Sequence, residues 1–253
     1  MNKKKLILKI GSSTLTAGTN RISYAKIEDI ARQIIALKDD YHIVLVSSGA
    51  IATAKQFVDI SGVGKEVDSK QALAAIGQPK LIATYDKVFS SFGLNVAQCL
   101  LVHRDFFSDT TRSNISNTVN KLLELGYTPI INENDTVAVE EIVLGDNDKL
   151  SAMVAHVLEA DLLVLASDID GLYDENPFLN PNANLILEVT DLNAVSKYIQ
   201  DKESDLGTGG MTTKFYAAQI CKDHEIELWI LNGGLTNFLV DALQGKREFT
   251  RFI

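Results

Sequence analysis

Six stretches of this chain are almost continuously apolar: residues 6–10 (LILKI), 42–46 (HIVLV), 96–102 (VAQCLLV), 128–132 (TPIIN), 162–166 (LLVLA) and 226–231 (IELWIL). No other pattern constrains the fold as much. A strand with one face in water alternates apolar and polar residues, so a strand that is apolar on both faces must be covered on both. Between these runs lie segments with apolar residues at helical spacing, such as Ile27, Ile30, Ala31, Ile34 and Ile35 within 24–38. Further helices are predicted over 69–92, 111–125, 150–158, 192–199, 211–222 and 236–243, and a short strand over 186–189. Buried strands alternating with helices predict an α/β protein, a three-layer αβα sandwich around a mostly parallel sheet. Gly77 and Pro79 are expected to split or bend the helix over 69–92, because proline donates no hydrogen bond and disfavours helix at the residue before it.

With 253 residues and 46% hydrophobic content the chain can bury a large core, and no linker, repeat or low-complexity segment divides it. One domain is expected. A net charge of −9 argues against nucleic acid as a partner. The MNKKK start is basic, but Lys9 interrupts the apolar run behind it and GSSTLTAG follows, which is not a signal peptide. No stretch approaches the roughly 20 apolar residues that cross a bilayer. A cytoplasmic protein without a membrane partner is expected. Cys99 and Cys221 are far apart, in apolar surroundings and without metal-ligand spacing, so both are read as buried thiols.

Parallel strands end on one rim, and open α/β sheets bind ligands there. The rim then collects Lys9, Ser48, Asn132 to Asp135, and Ser167 with Asp168. The densest chemistry lies in residues 128–152, where Glu133, Asp135, Glu140, Glu141, Asp146 and Asp148 occur without a Lys, Arg or His between Lys121 and Lys149. Asn132, Asn134 and Asn147 are interleaved with these acids. Residues 137–139 and 142–144 are read as a small hairpin, and Asn147 or Asp148 as the start of the helix over 150–158. Acids placed this way bind a cation, organise lysines or cap a helix.

Lys9 is a charge in an apolar strand, which is costly unless its ammonium reaches an anion. The loop LGTGGMTTK (206–214) opens a helix with glycines and hydroxyls, offering backbone N–H groups to an anion beside the positive helix end. It fits neither the P-loop pattern nor G-x-G-x-x-G. Lys9 and Lys214 together are expected to put two ammonium groups near a transferring phosphoryl group, with Asp148 expected to hold both. His42, His103, His156 and His224 all lie outside these motifs and are read as structural. A hydroxyl acceptor usually needs a positioned base, whereas a carboxylate is already ionised at neutral pH. The absence of a base in the motifs favours a carboxylate or phosphate acceptor.

The motifs KIGSST (9–14), VSSGAIA (46–52), SKQALAAIGQ (69–78), INENDTVA (131–138), GDNDKLSA (145–152), SDIDGLY (167–173) and LGTGGMTTK resemble the amino-acid kinase family, in its order and over nearly the whole chain. They are most similar to the branch that phosphorylates L-glutamate. The resemblance implies ATP-dependent phosphorylation of the glutamate side-chain carboxylate, the first step of proline biosynthesis. It implies ATP contacts from Lys9, Gly11, Ser167, Asp168, Thr208, Gly209, Gly210, Met211, Thr212, Thr213 and Lys214. The glutamate contacts implied are Ser48, Gly49, Asn132, Asp135 and Asn147, with Asp135 facing the α-ammonium. The catalytic set implied is Lys9, Lys214 and Asp148. Mg²⁺ is expected to be held mainly by ATP phosphates and water, the N-terminal part to bind the amino acid, and the C-terminal part ATP. A homo-oligomer, dimer or tetramer, and proline as a feedback inhibitor are further implications. The C-terminal PUA domain of many members is not expected here. Other kinases of the same fold, acting on acetylglutamate, carbamate or a nucleoside monophosphate, and a non-catalytic sensor remain open alternatives at this point.

Overall fold

The computed structural model describes residues 3–59, 64, 66–138, 147–198 and 210–253. Its strands are β1 (Lys4–Ile10), β2 (Tyr41–Ser47), β3 (Asn95–Leu101), β4 (Tyr127–Glu133), β5 (Leu162–Ser167), β6 (Leu172–Tyr173), β7 (Leu185–Ile186), β8 (Glu188–Val189), β9 (Glu227–Asn232) and β10 (Thr250–Phe252). Eight of them form one sheet in the order β3-β4-β2-β1-β5-β9-β10-β8, while β6 and β7 pair separately. Among the described residues of the large sheet, only β9 and β10 pair antiparallel. The helices are α1 (Ser12–Thr16), α2 (Tyr24–Leu37), α3 (Ala50–Ala54), α4 (Val67–Ser90), α5 (Asp109–Glu124), α6 (Asp148–Val157), α7 (Leu192–Val195), α8 (Met211–Asp223) and α9 (Phe238–Leu243).

Alternation along each strand sorts side chains to two faces. Leu6, Leu8 and Ile10 pack with α2, α4 and α9 on one side. Ile7, Val44, Leu163 and Leu165 pack with α5, α6 and α8 on the other. Both faces of the central strands are therefore dry, as their unbroken apolar runs require, and the three-layer αβα arrangement follows. Cys221 is buried, which pushes its thiol up to about 12, and Cys99 is half-buried; both are free.

Several elements differ from the sequence reading. The segment around Pro79 is one helix of 24 residues, not two. Tertiary contacts hold its weak point: Gly77 lies against the Ala50 backbone, where a Cβ would come within 1.8 Å of the carbonyl oxygen. Residues 186–189 do not form one strand, because Arg251 and Ile253 donate backbone hydrogen bonds to Leu187 and Val189. That pairing draws β8 into the large sheet and leaves β7 with β6. The helix over 192–199 stops at Val195 and continues as a 3₁₀ turn, Ser196–Tyr198. Short helices α1 and α3 and the strand β10 had no sequence signal. The expected hairpin lies largely outside the described residues, as do Gly207, Thr208 and Gly209; Val137 sits in a turn after β4.

Candidate active site

Lys9 is the penultimate residue of β1 and is buried between fully buried Leu8 and Ile10. Its Nζ lies 2.6 Å from Asp148 Oδ1. From the far end of the sequence, Lys214 in the first turns of α8 brings its Nζ to 3.1 Å from Asp148 Oδ2. The Thr213 hydroxyl donates to the same oxygen at 3.1 Å. Asp148, the first residue of α6, is wholly buried. One carboxylate thus faces two ammonium groups in a low-dielectric setting, where charge acts strongly.

The two helices that deliver Asp148 and Lys214 add to the same field. Asn147, the N-cap of α6, makes no side-chain cap hydrogen bond, and the N-cap of α8 is Gly210, which has no side chain to cap with. Both helix starts carry the positive end of a helix dipole. Met211, Thr212 and Thr213 form the opening turn of α8. Ser167 ends β5 beside β1 and donates to exposed Asp168 at 3.2 Å. A Cβ on Gly11 would lie 3.7 Å from the Lys9 ammonium, so the turn after β1 stays close to that charge.

On the neighbouring stretch of the rim the polar groups are neutral. Asn147 Nδ2 donates to Ser48 Oγ at 2.9 Å and to Asn132 Oδ1 at 2.8 Å. Asn132 Nδ2 in turn donates to Gln78 Oε1 at 2.8 Å. Ser48 is held at the end of β2 by its N–H, which donates to the Ile10 carbonyl. Gly49 turns the chain into α3 with φ +111, a conformation side chains disfavour. Asn147 was expected near the start of its helix, and it is the N-cap, yet its side chain spans to Ser48 and Asn132 rather than capping.

Asp135 is half-buried in the turn after β4. Burial, and then the negative charge of Glu133, push its carboxyl up to about 6. Glu133 is itself buried, its Oε1 3.9 Å from His103 Nδ1. A carboxylate destabilised in this way gains most from a cation. The other histidines stand apart: His42 is in β2, while His156 and His224 stack at 3.5 Å at the opposite ends of α6 and α8.

The structure therefore brings together Lys9, Asp148, Lys214 and Thr213 in one cluster and Ser48, Asn132 and Asn147 in an adjoining one, joined through consecutive residues 147 and 148. Sequence reading missed Gln78 as a partner of this second cluster. It sits in the SKQALAAIGQ motif, but nothing in its spacing points to Asn132.

The chain belongs to the amino acid kinase family, which it matches over residues 4–232. Among its relatives, the glutamate 5-kinase of Clostridium acetobutylicum is 44% identical over 254 residues, covering 100% of this chain and 95% of the relative. The glutamate 5-kinase of Thermus thermophilus is 44% identical over 253 residues, covering 100% of this chain and 68% of the relative. The fold is shared with UMP kinase from Ureaplasma parvum, at a TM-score of 0.70 and 20% identity, covering 100% of this chain and 99% of that one. Carbamate kinase from Giardia lamblia bound to AMP-PNP gives a TM-score of 0.70 at 15% identity, covering 99% and 98%.

Proposed function

We propose that the chain catalyses the glutamate 5-kinase reaction, transferring the γ-phosphoryl group of ATP to the side-chain carboxylate of L-glutamate. A carboxylate oxygen attacks the γ-phosphorus, the bond to the bridging β,γ-oxygen breaks, and L-glutamyl 5-phosphate and ADP leave. No proton has to move, because the nucleophile is already an anion at neutral pH. The observation that carries this reading is the Asp148 carboxylate bridging Lys9 and Lys214 at 2.6 and 3.1 Å. In phosphoryl transfer the protein contributes mainly position and charge neutralisation. Two ammonium groups fixed by one buried carboxylate supply both without reorganising during the reaction.

In this reading Lys9 and Lys214 approach the transferring phosphoryl group, and Asp148 holds them apart and in register. Gly11, Ser167, Asp168 and the loop from Thr208 to Lys214 take the nucleotide. Ser48, Gly49, Asn132, Asp135 and Asn147 take glutamate, with Asp135 paired to the α-ammonium. Among the described residues no three of His, Cys, Asp or Glu could hold a metal ion. Mg²⁺, when bound, would be held by the nucleotide phosphates and would neutralise their charge. The N-terminal part of a single domain takes the amino acid and the C-terminal part ATP. A homo-oligomer and inhibition by proline belong to the same proposal, to be checked by sedimentation and by adding proline to the assay.

Asp135 separates glutamate from the acceptors of other kinases of this fold, since an acetylated amine offers no cation to pair with it. Trapping acyl phosphate with hydroxylamine tests the whole reading. Hydroxamate is expected with ATP and glutamate and not with ATP and N-acetylglutamate. Glutamate and ATP binding without hydroxamate would make the chain a sensor instead.

A further inference from the structure

The Gln78–Asn132–Asn147–Ser48 chain has a direction. A primary amide donates only from nitrogen and accepts only at oxygen. Gln78 Oε1 accepts from Asn132 Nδ2, which turns Asn132 Oδ1 to Asn147. Asn147 spends both N–H bonds, one on Asn132 and one on Ser48. Its Oδ1 then has no donor among the described residues. The Ser48 oxygen accepts from Asn147, and its own O–H has no acceptor among the described residues. Among the described residues this chain of amides thus leaves one acceptor and one donor uncommitted, on Asn147 and Ser48.

We infer that Gln78 is a positioning residue for the amino-acid substrate: accepting from Asn132, it fixes the polarity of the chain, leaving Asn147 Oδ1 for an α-ammonium and the Ser48 hydroxyl for an α-carboxylate. The inference rests on the reading that this chain phosphorylates glutamate. Without Gln78 the Asn132 amide can turn over at little torsional cost, because the terminal bond of an asparagine side chain is softly two-fold. Asn147 then has to turn as well, presenting N–H groups where an ammonium must bind.

The backbone fixes Gln78 in place. Its neighbour Gly77 lies against the Ala50 carbonyl, two residues beyond Ser48. Helix α4 therefore meets the 48–50 segment twice, once by backbone contact and once through the amide chain. Gln78 has no hydrogen bond to Lys9, Asp148 or Lys214. Its loss should therefore be felt by the amino acid and not by the nucleotide.

The test is steady-state kinetics of Gln78→Met and Gln78→Glu, read by hydroxamate formation, with Tm measured alongside. In Q78M the KM for L-glutamate is expected to rise about tenfold or more, with kcat and the KM for ATP within about twofold of wild type. Glutamate at position 78 still accepts from Asn132, so Q78E is expected to restore the glutamate KM to within about threefold. An unchanged glutamate KM in Q78M, a parallel rise in both KM values, or Q78E as impaired as Q78M would each overturn the inference. If Q78M does not fold, Q78E decides alone: a glutamate KM within threefold supports the assignment and a rise of tenfold or more overturns it. Wild-type protein that makes no hydroxamate from glutamate overturns the proposed function itself, and this assignment with it.

Discussion

Asn147 and Asp148 are consecutive residues at the start of one helix, and they serve two opposite kinds of environment. Asp148 is a buried anion held by Lys9 and Lys214. Asn147 is a buried neutral amide held by Asn132 and Ser48. The charged cluster has strong, non-directional interactions that suit a phosphoryl group whose charge redistributes as it moves. The neutral cluster has weak, directional interactions that suit a zwitterion, which must be told from an uncharged analogue by where its donors and acceptors lie. In the proposed reaction the helix start divides rate from recognition within one peptide unit. Substitutions on the charged side should change kcat, and those on the neutral side the KM for glutamate.

The largest effect is expected from Lys9→Ala and Lys214→Ala, each lowering kcat by roughly two to four orders of magnitude, as loss of charge stabilisation in a transition state does. Turnover measured with both substrates saturating checks this, and near-normal kcat in either variant would break the division. Next is Asp148→Asn, which leaves two buried ammonium groups facing each other. A loss of about 3 kcal/mol in urea unfolding is expected together with a fall in kcat. A variant that loses activity but no stability would show that the carboxylate is not what holds the lysines.

Asp135→Asn should raise the KM for glutamate about tenfold or more and leave the KM for ATP nearly unchanged; equal losses in both would remove Asp135 from the amino-acid side. The pH dependence sharpens this. Burial and Glu133 raise the carboxyl to about 6. An α-ammonium binds the ionised form, so protons compete with the substrate. The glutamate KM is expected to rise as pH falls through about 6, approaching tenfold per unit below it, and this rise should vanish in Asp135→Asn. For folding the sign is opposite to that of a salt-bridged acid. A carboxyl raised in the folded state makes the ligand-free protein lose stability as pH climbs from the unfolded value of 3.8 towards 6. The smallest effect on catalysis concerns the scaffold between the two clusters. Gly77→Ala would bring a Cβ within 1.8 Å of the Ala50 carbonyl. A loss of about 1–3 kcal/mol is expected from overpacking, with a larger shift in the glutamate KM than in the ATP KM.

The unbroken apolar runs foretold the parallel sheet, since an all-apolar strand has only one way to stay dry on both faces. Lys9 was legible for the same reason: a charge in such a run needs an anion. The convergence of Lys9, Asp148 and Lys214 was legible through motif resemblance and the logic of unpaired charge. Pro79 misled because its cost is local, whereas Gly77 against Ala50 and Gln78 against Asn132 are contacts between segments. The split of 186–189 depends on the C-terminal strand Thr250–Phe252 claiming part of it, which no local pattern encodes.

Composition and periodicity by themselves determined the class of fold and the rim on which charge had to gather, because burial and the cost of lone charges are properties of each residue type. Only the tertiary structure decided that Gln78 meets Asn132, that Asn147 bridges instead of capping its helix, and that Glu133 sits close enough to raise the Asp135 carboxyl. Hydrogen bonds are short and directional and have no period along the chain, so they exist only once the strands and helices have set their positions.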